Sequence, residues 1–308
     1  MERVDVIIPV YKPERGFLTM VEKLQAQTVP VNRIILMNTE QKYLDRLLYG
    51  TTLEREHHNI TVKHLSKREF DHGRTRNQGV KLSDTDVFVM MTQDAMPADE
   101  FLLERLLEAL RGEKAAVSYA RQLPGRDSSE AERFTRQFNY PAESRVKTKE
   151  DLSELGVKTF FCSNVCAAYR RDVFDELGGF VNHAIFNEDM LYAAKAVEAG
   201  FAIAYAAQAK VYHSHNYTYR QQFRRNFDLG VSQADHPEVF AAYPSESEGI
   251  RLVKSTVAHL KEKRMRNKIP GVIIQSGFKY VGYLLGKRYR RLPRRLVLAC
   301  SSNKDYWR

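Results

Sequence analysis

Val87-Phe88-Val89-Met90-Met91 is an unbroken run of five apolar residues. A strand with one wet face alternates apolar and polar residues, whereas a run without alternation suits a central strand covered on both faces. An acid, Asp94, follows at its carboxyl end in Thr92-Gln93-Asp94-Ala95-Met96-Pro97. Open α/β sheets bind their ligands beyond the carboxyl ends of such strands. The plainer reading makes Asp94 the N-cap of a helix opened by Ala98-Asp99-Glu100-Phe101.

The flanking pattern extends this to a fold class. Asp5–Val10, Arg33–Met37, Ile60–Leu65, residues 86–92 and Ala115–Ala120 read as strands. Between them, residues 14–27, 73–82 and 98–111 carry helical apolar spacing. Alternating strands and helices imply right-handed βαβ units, hence an α/β fold with a mostly parallel sheet flanked by helices. The polar stretch from Arg121 to Thr159 reads as a long functional loop or lid. Phe160–Tyr169 reads as a strand, Arg171–Leu177 as a helix ended by Gly178-Gly179, and Glu188–Ala199 as a helix stopped at Gly200. Ala202–Ala206 and Lys210–His213 read as two short strands. The expected organisation is a main domain over residues 1–235, in two halves at 1–120 and 121–235. A basic helical appendage follows at 236–308.

Charge separates these parts. Residues 251–308 hold sixteen Lys or Arg against two acids, Glu262 and Asp305, so the tail is near +14. The preceding 250 residues hold 32 bases and 36 acids, near −4. An acidic main domain argues against a cleft for nucleic acid, while the tail suits an anionic surface. In residues 272–289, Ile274, Phe278, Val281, Leu285 and Tyr289 recur three or four apart, as in an amphipathic helix on anionic lipid. The same pattern suits a helix packed on the main domain with a solvated basic rim. No run of eighteen apolar residues predicts a membrane span, and Met1-Glu2-Arg3-Val4-Asp5 does not resemble a secretory signal. Cys162, Cys166 and Cys300 are odd in number and lack metal-type spacing, which predicts reduced, structural thiols in the cytoplasm.

Four polar clusters stand near expected strand ends or helix starts. Pro9-Val10-Tyr11-Lys12 offers backbone and a ring to a nucleobase. Phe70-Asp71-His72-Gly73-Arg74-Thr75-Arg76-Asn77 offers a tight helix entry with two arginines suited to phosphate, or simply a solvated basic helix start. In Asn187-Glu188-Asp189-Met190 the acids are favoured by the helix dipole alone, yet one could take a proton from a hydroxyl nucleophile. Val211-Tyr212-His213-Ser214-His215-Asn216 could present an imidazole to a metal held by Asp94.

Together and in this order, the Pro-Val-Tyr, Gly-Arg-Thr-Arg-Asn, Gln-Asp-Ala, Glu-Asp-Met and His-Ser-His segments resemble family 2 glycosyltransferases of GT-A (Rossmann-like) fold. The resemblance covers about residues 3–230 and is strongest to the bacterial rhamnosyltransferase-like branch. It implies inverting transfer of a sugar from a nucleoside diphosphate to a hydroxyl. Asp94 matches the metal-binding acid, with His213 or His215 as a further ligand for Mg²⁺ or Mn²⁺. Asp189 matches the general base, with Glu188 in support. Pro9, Tyr11, Arg76 and Asn77, with Arg74, Gln93 and Glu40, fall in the nucleotide-sugar region.

Two departures stand out. Gln93 occupies the first acidic position of the family's metal motif, leaving one carboxylate fewer. The second strand ends Met37-Asn38-Thr39-Glu40 where many members carry consecutive aspartates.

The resemblance implies L-rhamnose transfer from deoxythymidine diphosphate rhamnose to a lipid-linked or polysaccharide acceptor. The enzyme would be peripheral on the inner membrane face through residues 251–308, with self-association left open. Phe134, Phe138 and Tyr140 of the 121–159 stretch would border the acceptor. One rival is a sugar-phosphate nucleotidyltransferase, which opens on a glycine-rich loop where this chain has Pro9-Val10-Tyr11-Lys12-Pro13. The other is a non-enzymatic basic adaptor for membrane or nucleic acid, which leaves the four clusters unexplained.

Overall fold

A computed structural model describes residues 3–51, 57–112, 114–215, 217–243 and 246–308. The chain divides into two compact units. The first comprises residues 1–123, 142–183 and 188–213, and the second residues 124–141, 184–187 and 214–308.

The first unit is built on a nine-stranded sheet: β1 (Val4–Tyr11), β2 (Val31–Thr39), β3 (Ile60–Leu65), β4 (Val87–Met91), β5 (Met96–Pro97), β6 (Ala115–Leu123), β7 (Arg145–Lys147), β8 (Cys166–Arg170) and β9 (Ala202–Tyr212). The order is β3-β2-β1-β4-β8-β6-β9-β5, with β7 also on β9. β3, β2, β1 and β4 pair in parallel, as do β6 and β9, while β8, β5 and β7 run against their neighbours. Most of the sheet therefore shares one direction, as the alternating pattern predicts.

The apolar run Val87–Met91 is β4, and all five residues are buried. Helix Gly16–Gln25 covers one face with Phe17, Met20, Val21 and Leu24, spaced three or four apart, and helix Leu102–Leu110 buries five leucines the same way. Helix His72–Leu82 approaches β1 closely at Gly79, where a Cβ would meet Ile7 at 2.4 Å. The three cysteines are buried and free, and burial pushes the Cys162 and Cys166 thiols up to about 12.

Several sequence expectations change. The 121–159 stretch contains helix Glu130–Asn139, β7 and helix Leu152–Leu155. Helix Glu130–Asn139 buries no residue completely, so its apolar signal is weak, but Ser129 caps it by accepting from the Glu132 amide. The strand expected from Phe160 begins at Cys166, after a 3₁₀ turn over Gly156–Phe160. The two short strands at 202–213 are one, with a register shift opposite Ala120 and Arg121 that lets β9 continue. The helix expected from residue 98 starts at Leu102 behind β5, so Asp94 is not its N-cap. Helix Gln41–Leu48, unpredicted, buries only Leu44.

The second unit is helical: Glu130–Asn139, Tyr219–Asp235, Pro237–Phe240, Glu246–Glu262, Ile269–Lys287 and Arg294–Cys300. Its core joins Ile185, Phe227, Val231, Val297 and Cys300. No helix among the described residues is long and apolar enough to cross a membrane.

Candidate active site

β1 sends its chain to β2 on one side, while β4 pairs on its other side, so the sheet's topological switch lies between β1 and β4. A crevice opens at the carboxyl ends of strands at such a point. Tyr11 ends β1 there, and Gln93 and Asp94 follow β4. The Gln93 amide bridges to Tyr11 twice: its Oε1 accepts from Tyr11 N at 2.7 Å, and its Nε2 donates to Tyr11 O at 2.9 Å. An aspartate or glutamate could make only the first of these bonds. Gln93 therefore holds the backbone of Tyr11 where the family pattern has an acid. The Tyr11 ring meets Tyr43 edge-on at 5.6 Å, with Lys12 and Lys67 ammonium groups over it. Glu40, at φ +65°, accepts from the Lys67 amide at 3.2 Å, and Pro9 lies half-buried within β1.

Asp94 and His213 meet across the ends of β4 and β9, with Asp94 Oδ1 3.5 Å from His213 Nε2. The other ring nitrogen, Nδ1, lies 3.0 Å from Gln122 Oε1, and Gln122 Nε2 donates to Ser163 Oγ at 3.0 Å. An amide oxygen only accepts, so Nδ1 carries the hydrogen and Nε2 is left facing the Asp94 carboxylate. Two acceptors in that position need a proton or a cation between them. The donor set of one carboxylate oxygen and one imidazole nitrogen, oriented by a hydrogen-bonded amide behind the ring, suits a divalent metal.

The adjacent residue Asn164 organises the second polar centre. Its backbone N–H donates to Asp189 Oδ2 at 3.0 Å and its Nδ2 donates to Glu188 Oε1 at 3.1 Å. Its Oδ1 accepts from the Tyr169 hydroxyl at 2.7 Å. Glu188 also pairs with Arg76 Nη1 at 3.3 Å, both side chains only 7% exposed, and that guanidinium donates to His72 O at 2.9 Å. Burial would raise the Glu188 carboxyl, but the Arg76 and His72 charges and the Asn164 amide together hold it below the usual carboxylate range. Asp189 goes the other way, pushed up to about 7 by burial and by the neighbouring Glu188 charge. Two adjacent acids thus hold opposite roles: Glu188 stays ionised, and Asp189 is poised to exchange a proton near neutrality.

Helix His72–Leu82 places Arg76 there. Asp71 Oδ1 accepts from Gly73 N, Arg74 N and His183 N, so the first amides of this helix are already occupied by its own cap. Gly73 is required by a close approach, since a Cβ there would sit 1.7 Å from the Val181 carbonyl oxygen. Arg74 points to the Glu69 carbonyl at 3.1 Å. Asn77 clamps Phe180, donating to its O at 2.8 Å and accepting from its N at 3.1 Å.

Asp94 and His213 on one side, and Glu188, Asp189 and Arg76 on the other, are thus joined through two consecutive residues, Ser163 and Asn164. His215 lies beyond the end of this unit, its ring 4.8 Å from that of Tyr217, and Asn216 is outside the described residues. Phe134 and Phe138 belong to the second unit, where Phe134 stacks on His259 at 4.5 Å. Sequence reasoning overlooked Gln122, Ser163 and Asn164. The available signal was the polar pair Ser163-Asn164 interrupting an otherwise apolar stretch from Phe160 to Ala168.

Residues 5–178 match the family model for Glycosyl transferase family 2. The chain belongs to that family. It is 38% identical over 99% of its length, and 96% of the relative's, to the O-antigen chain rhamnosyltransferase RfbN of Salmonella typhimurium. It is 37% identical over 100% of its length, and 96% of the relative's, to the O-antigen chain rhamnosyltransferase WbaN of Salmonella anatum. These relatives place this family 2 glycosyltransferase in the bacterial rhamnosyltransferase-like branch. Its fold is GT-A. The mannosyltransferase PcManGT from Pyrobaculum calidifontis, solved with GDP-Man and Mn²⁺, superposes with a TM-score of 0.57 over 99% of this chain and 86% of that one at 13% identity. TarS 1–349 from S. aureus, solved with UDP-GlcNAc, gives 0.53 over 94% and 91% at 14% identity.

Proposed function

We propose that this glycosyltransferase moves L-rhamnose from deoxythymidine diphosphate rhamnose to a hydroxyl of a lipid-linked or polysaccharide acceptor, in assembly of an O-antigen-type chain, with inversion at the anomeric carbon. The mechanism rests on one observation, the Asp189 carboxylate fixed by the Asn164 amide with its acidity weakened toward neutrality. The names of the two similar relatives support the sugar and the acceptor class.

In this reading Asp189 takes the acceptor hydroxyl proton as the new bond forms from that oxygen to the anomeric carbon. The bond from that carbon to the diphosphate breaks on the opposite face. Glu188, kept ionised by Arg76, orients Asn164 and thereby Asp189. Asp94 and His213 hold a divalent cation, Mg²⁺ or Mn²⁺, with His215, two residues further along the chain, as an additional ligand. When bound, that ion supplies positive charge to the departing diphosphate. Pro9, Tyr11, Glu40, Arg74, Arg76, Asn77, Gln93 and Asp94 form the nucleotide-sugar side. Of these, Tyr11 takes the nucleobase against its ring, and Gln93, Arg76 and Asn77 act by fixing their neighbours.

Residues 1–120 then form the nucleotide half, 121–235 the acceptor half and 236–308 the basic appendage of a peripheral enzyme on the cytoplasmic membrane face. The test is a transfer assay with deoxythymidine, uridine and guanosine diphosphate sugars, with and without Mn²⁺. Rhamnosyl transfer that is lost on chelation is expected. Efficient transfer from a uridine or guanosine donor, with none from deoxythymidine diphosphate rhamnose, would overturn the donor assignment.

A further inference from the structure

Helix Ile269–Lys287 turns the wrong face inward for a helix that merely packs on its own unit. It buries Gly282, Tyr283 and Gly286. A Cβ at Gly282 would sit 2.3 Å from the Phe223 carbonyl oxygen, and one at Gly286 would sit 2.1 Å from that of Phe227. Helix Tyr219–Asp235 offers Gly230 in return, where a Cβ would meet the Tyr283 carbonyl at 2.3 Å. Small residues thus bring the two backbones together, and the Tyr283 hydroxyl lies 2.8 Å from Gln233 Oε1 on that same helix. This contact uses the small-residue side and leaves the large apolar side chains over.

Those side chains face solvent. Ile273 is 51% exposed, Ile274 50%, Phe278 42%, Tyr280 54% and Val281 50%, with Phe278 stacked on Tyr219 at 5.3 Å. At about 100° per residue they occupy one continuous arc whose edge, at Phe278, borders Gly282, while Leu285, further along the same arc, packs against the core of the second unit. Contiguous exposed apolar surface of this kind marks an interaction site. Exposed bases stand at both ends: Arg264, Arg266 and Lys268 precede the helix, and Arg288, Arg291 and Arg295 follow it. Lys279 is the one charged residue between Ile269 and Gly286, and it lies off the apolar arc.

We infer that this face seats the protein on an anionic lipid surface, with the helix lying in the interface plane, the apolar arc entering the acyl boundary and the flanking arginines and lysines against phosphate headgroups. Charge decides the occupant. Residues 251–308 carry sixteen bases and two acids, so a two-fold pairing of this face with a second copy would set like charges against each other at both ends. An anionic bilayer offers the opposite charge to the ends and hydrocarbon to the centre. Too short on apolar residues to span, the helix has the composition of one that lies on a membrane. The inference deepens the membrane-face part of the proposed function and rests on it for its purpose.

The test uses the full chain with vesicles of phosphatidylcholine, alone or mixed with phosphatidylglycerol, and is read by co-sedimentation without substrate. Binding is expected only with the anionic lipid and falls as salt is added. The pair Ile274→Glu and Val281→Glu, both at half-exposed positions, weakens it by about ten-fold or more while leaving the thermal unfolding unchanged. Arg291→Glu with Arg295→Glu does the same from the charged end. Equal binding by the apolar pair variant would overturn the inference. So would a wild-type dimer that this variant separates while neither form binds vesicles. Donor hydrolysis by the same preparations reports separately on the transferase reading, so either idea can fail without the other.

Discussion

The two polar centres of the first unit differ in exposure, and the difference accords with the separate roles proposed for them. Arg76 and Glu188 are each 7% exposed, and the Asn164 and Met190 amides donate to the half-buried Asp189. Asp94, by contrast, is 42% exposed, with His213 Nε2 3.5 Å from its Oδ1. A centre whose ion pair is buried and whose carboxylates are held by fixed amides suits the base proposed for Asp189, whose proton affinity must be tuned. A more exposed one suits the proposed ligand, which brings its own charge and leaves with the product. The same chain segment, Ser163-Asn164, supports both, so each can be perturbed separately and compared.

The largest separation is expected at the base. Asp189→Asn keeps the shape but cannot accept a proton, and turnover should fall by about 10²–10⁴-fold. Donor affinity, measured by calorimetry, should stay within a factor of two or so of wild type. A variant that turns over normally would remove Asp189 from the chemistry.

Next comes the dry pair. Arg76→Met leaves Glu188 as a buried carboxylate without its main partner, a change that costs roughly 3–5 kcal/mol in comparable pairs. Burial then raises the Glu188 carboxyl, so the cost is present when it is ionised and is relieved as pH falls through its new, higher value. Urea unfolding should therefore show a larger loss at pH 8 than at pH 5. A pH-independent loss would mean that packing, not charge, dominates.

At the wet centre the effect is smaller and depends on the ion. Asp94→Ala should weaken donor binding by about 10–100-fold in the presence of Mn²⁺ and much less in chelator. It should leave stability nearly unaltered, because a carboxylate 42% exposed contributes little to folding. Equal weakening with and without metal would assign Asp94 to direct contact with the sugar instead.

Much of this arrangement was legible in the chain. Buried strands announce themselves by unbroken apolar runs, and β4 with Asp94 beyond it was readable from six residues. The paired acids Glu188-Asp189 and the histidine His213 were readable as residue types at element ends. What escaped was the support. Gln122 sits on β6 in a stretch that reads as loop, and Ser163-Asn164 lies inside a segment whose apolar neighbours read as one strand. Their importance comes from long-range pairing, with Asn164 25 residues from Asp189 and Gln122 91 residues from His213. Local periodicity carries no trace of such contacts. The tail helix teaches the converse. Its apolar stripe was plain, but the structure divides it: Ile274, Phe278 and Val281 face solvent, while Leu285 and Tyr289 pack against the core of the second unit.

Asn164 offers the finest comparison, because it touches the base through its backbone and Glu188 through its side chain. In the wild type the rate should rise with pH through about 7, since the proposed base role requires a deprotonated Asp189 and its carboxyl is pushed up to that range. Asn164→Ala removes the amide from Glu188 and the anchor to Tyr169, while the backbone N–H remains. Freed of that anchor, the 163–165 segment loosens and its N–H donates less well to Asp189, so the charged form of the base loses support. The rising limb of the kcat–pH profile should shift to higher pH, and kcat at pH 7 should fall by about ten-fold, with donor affinity nearly unchanged. A merely structural role would lower activity equally at every pH. An unmoved limb would therefore reduce Asn164 to a packing residue and would leave the tuning of Asp189 to burial and Glu188 alone.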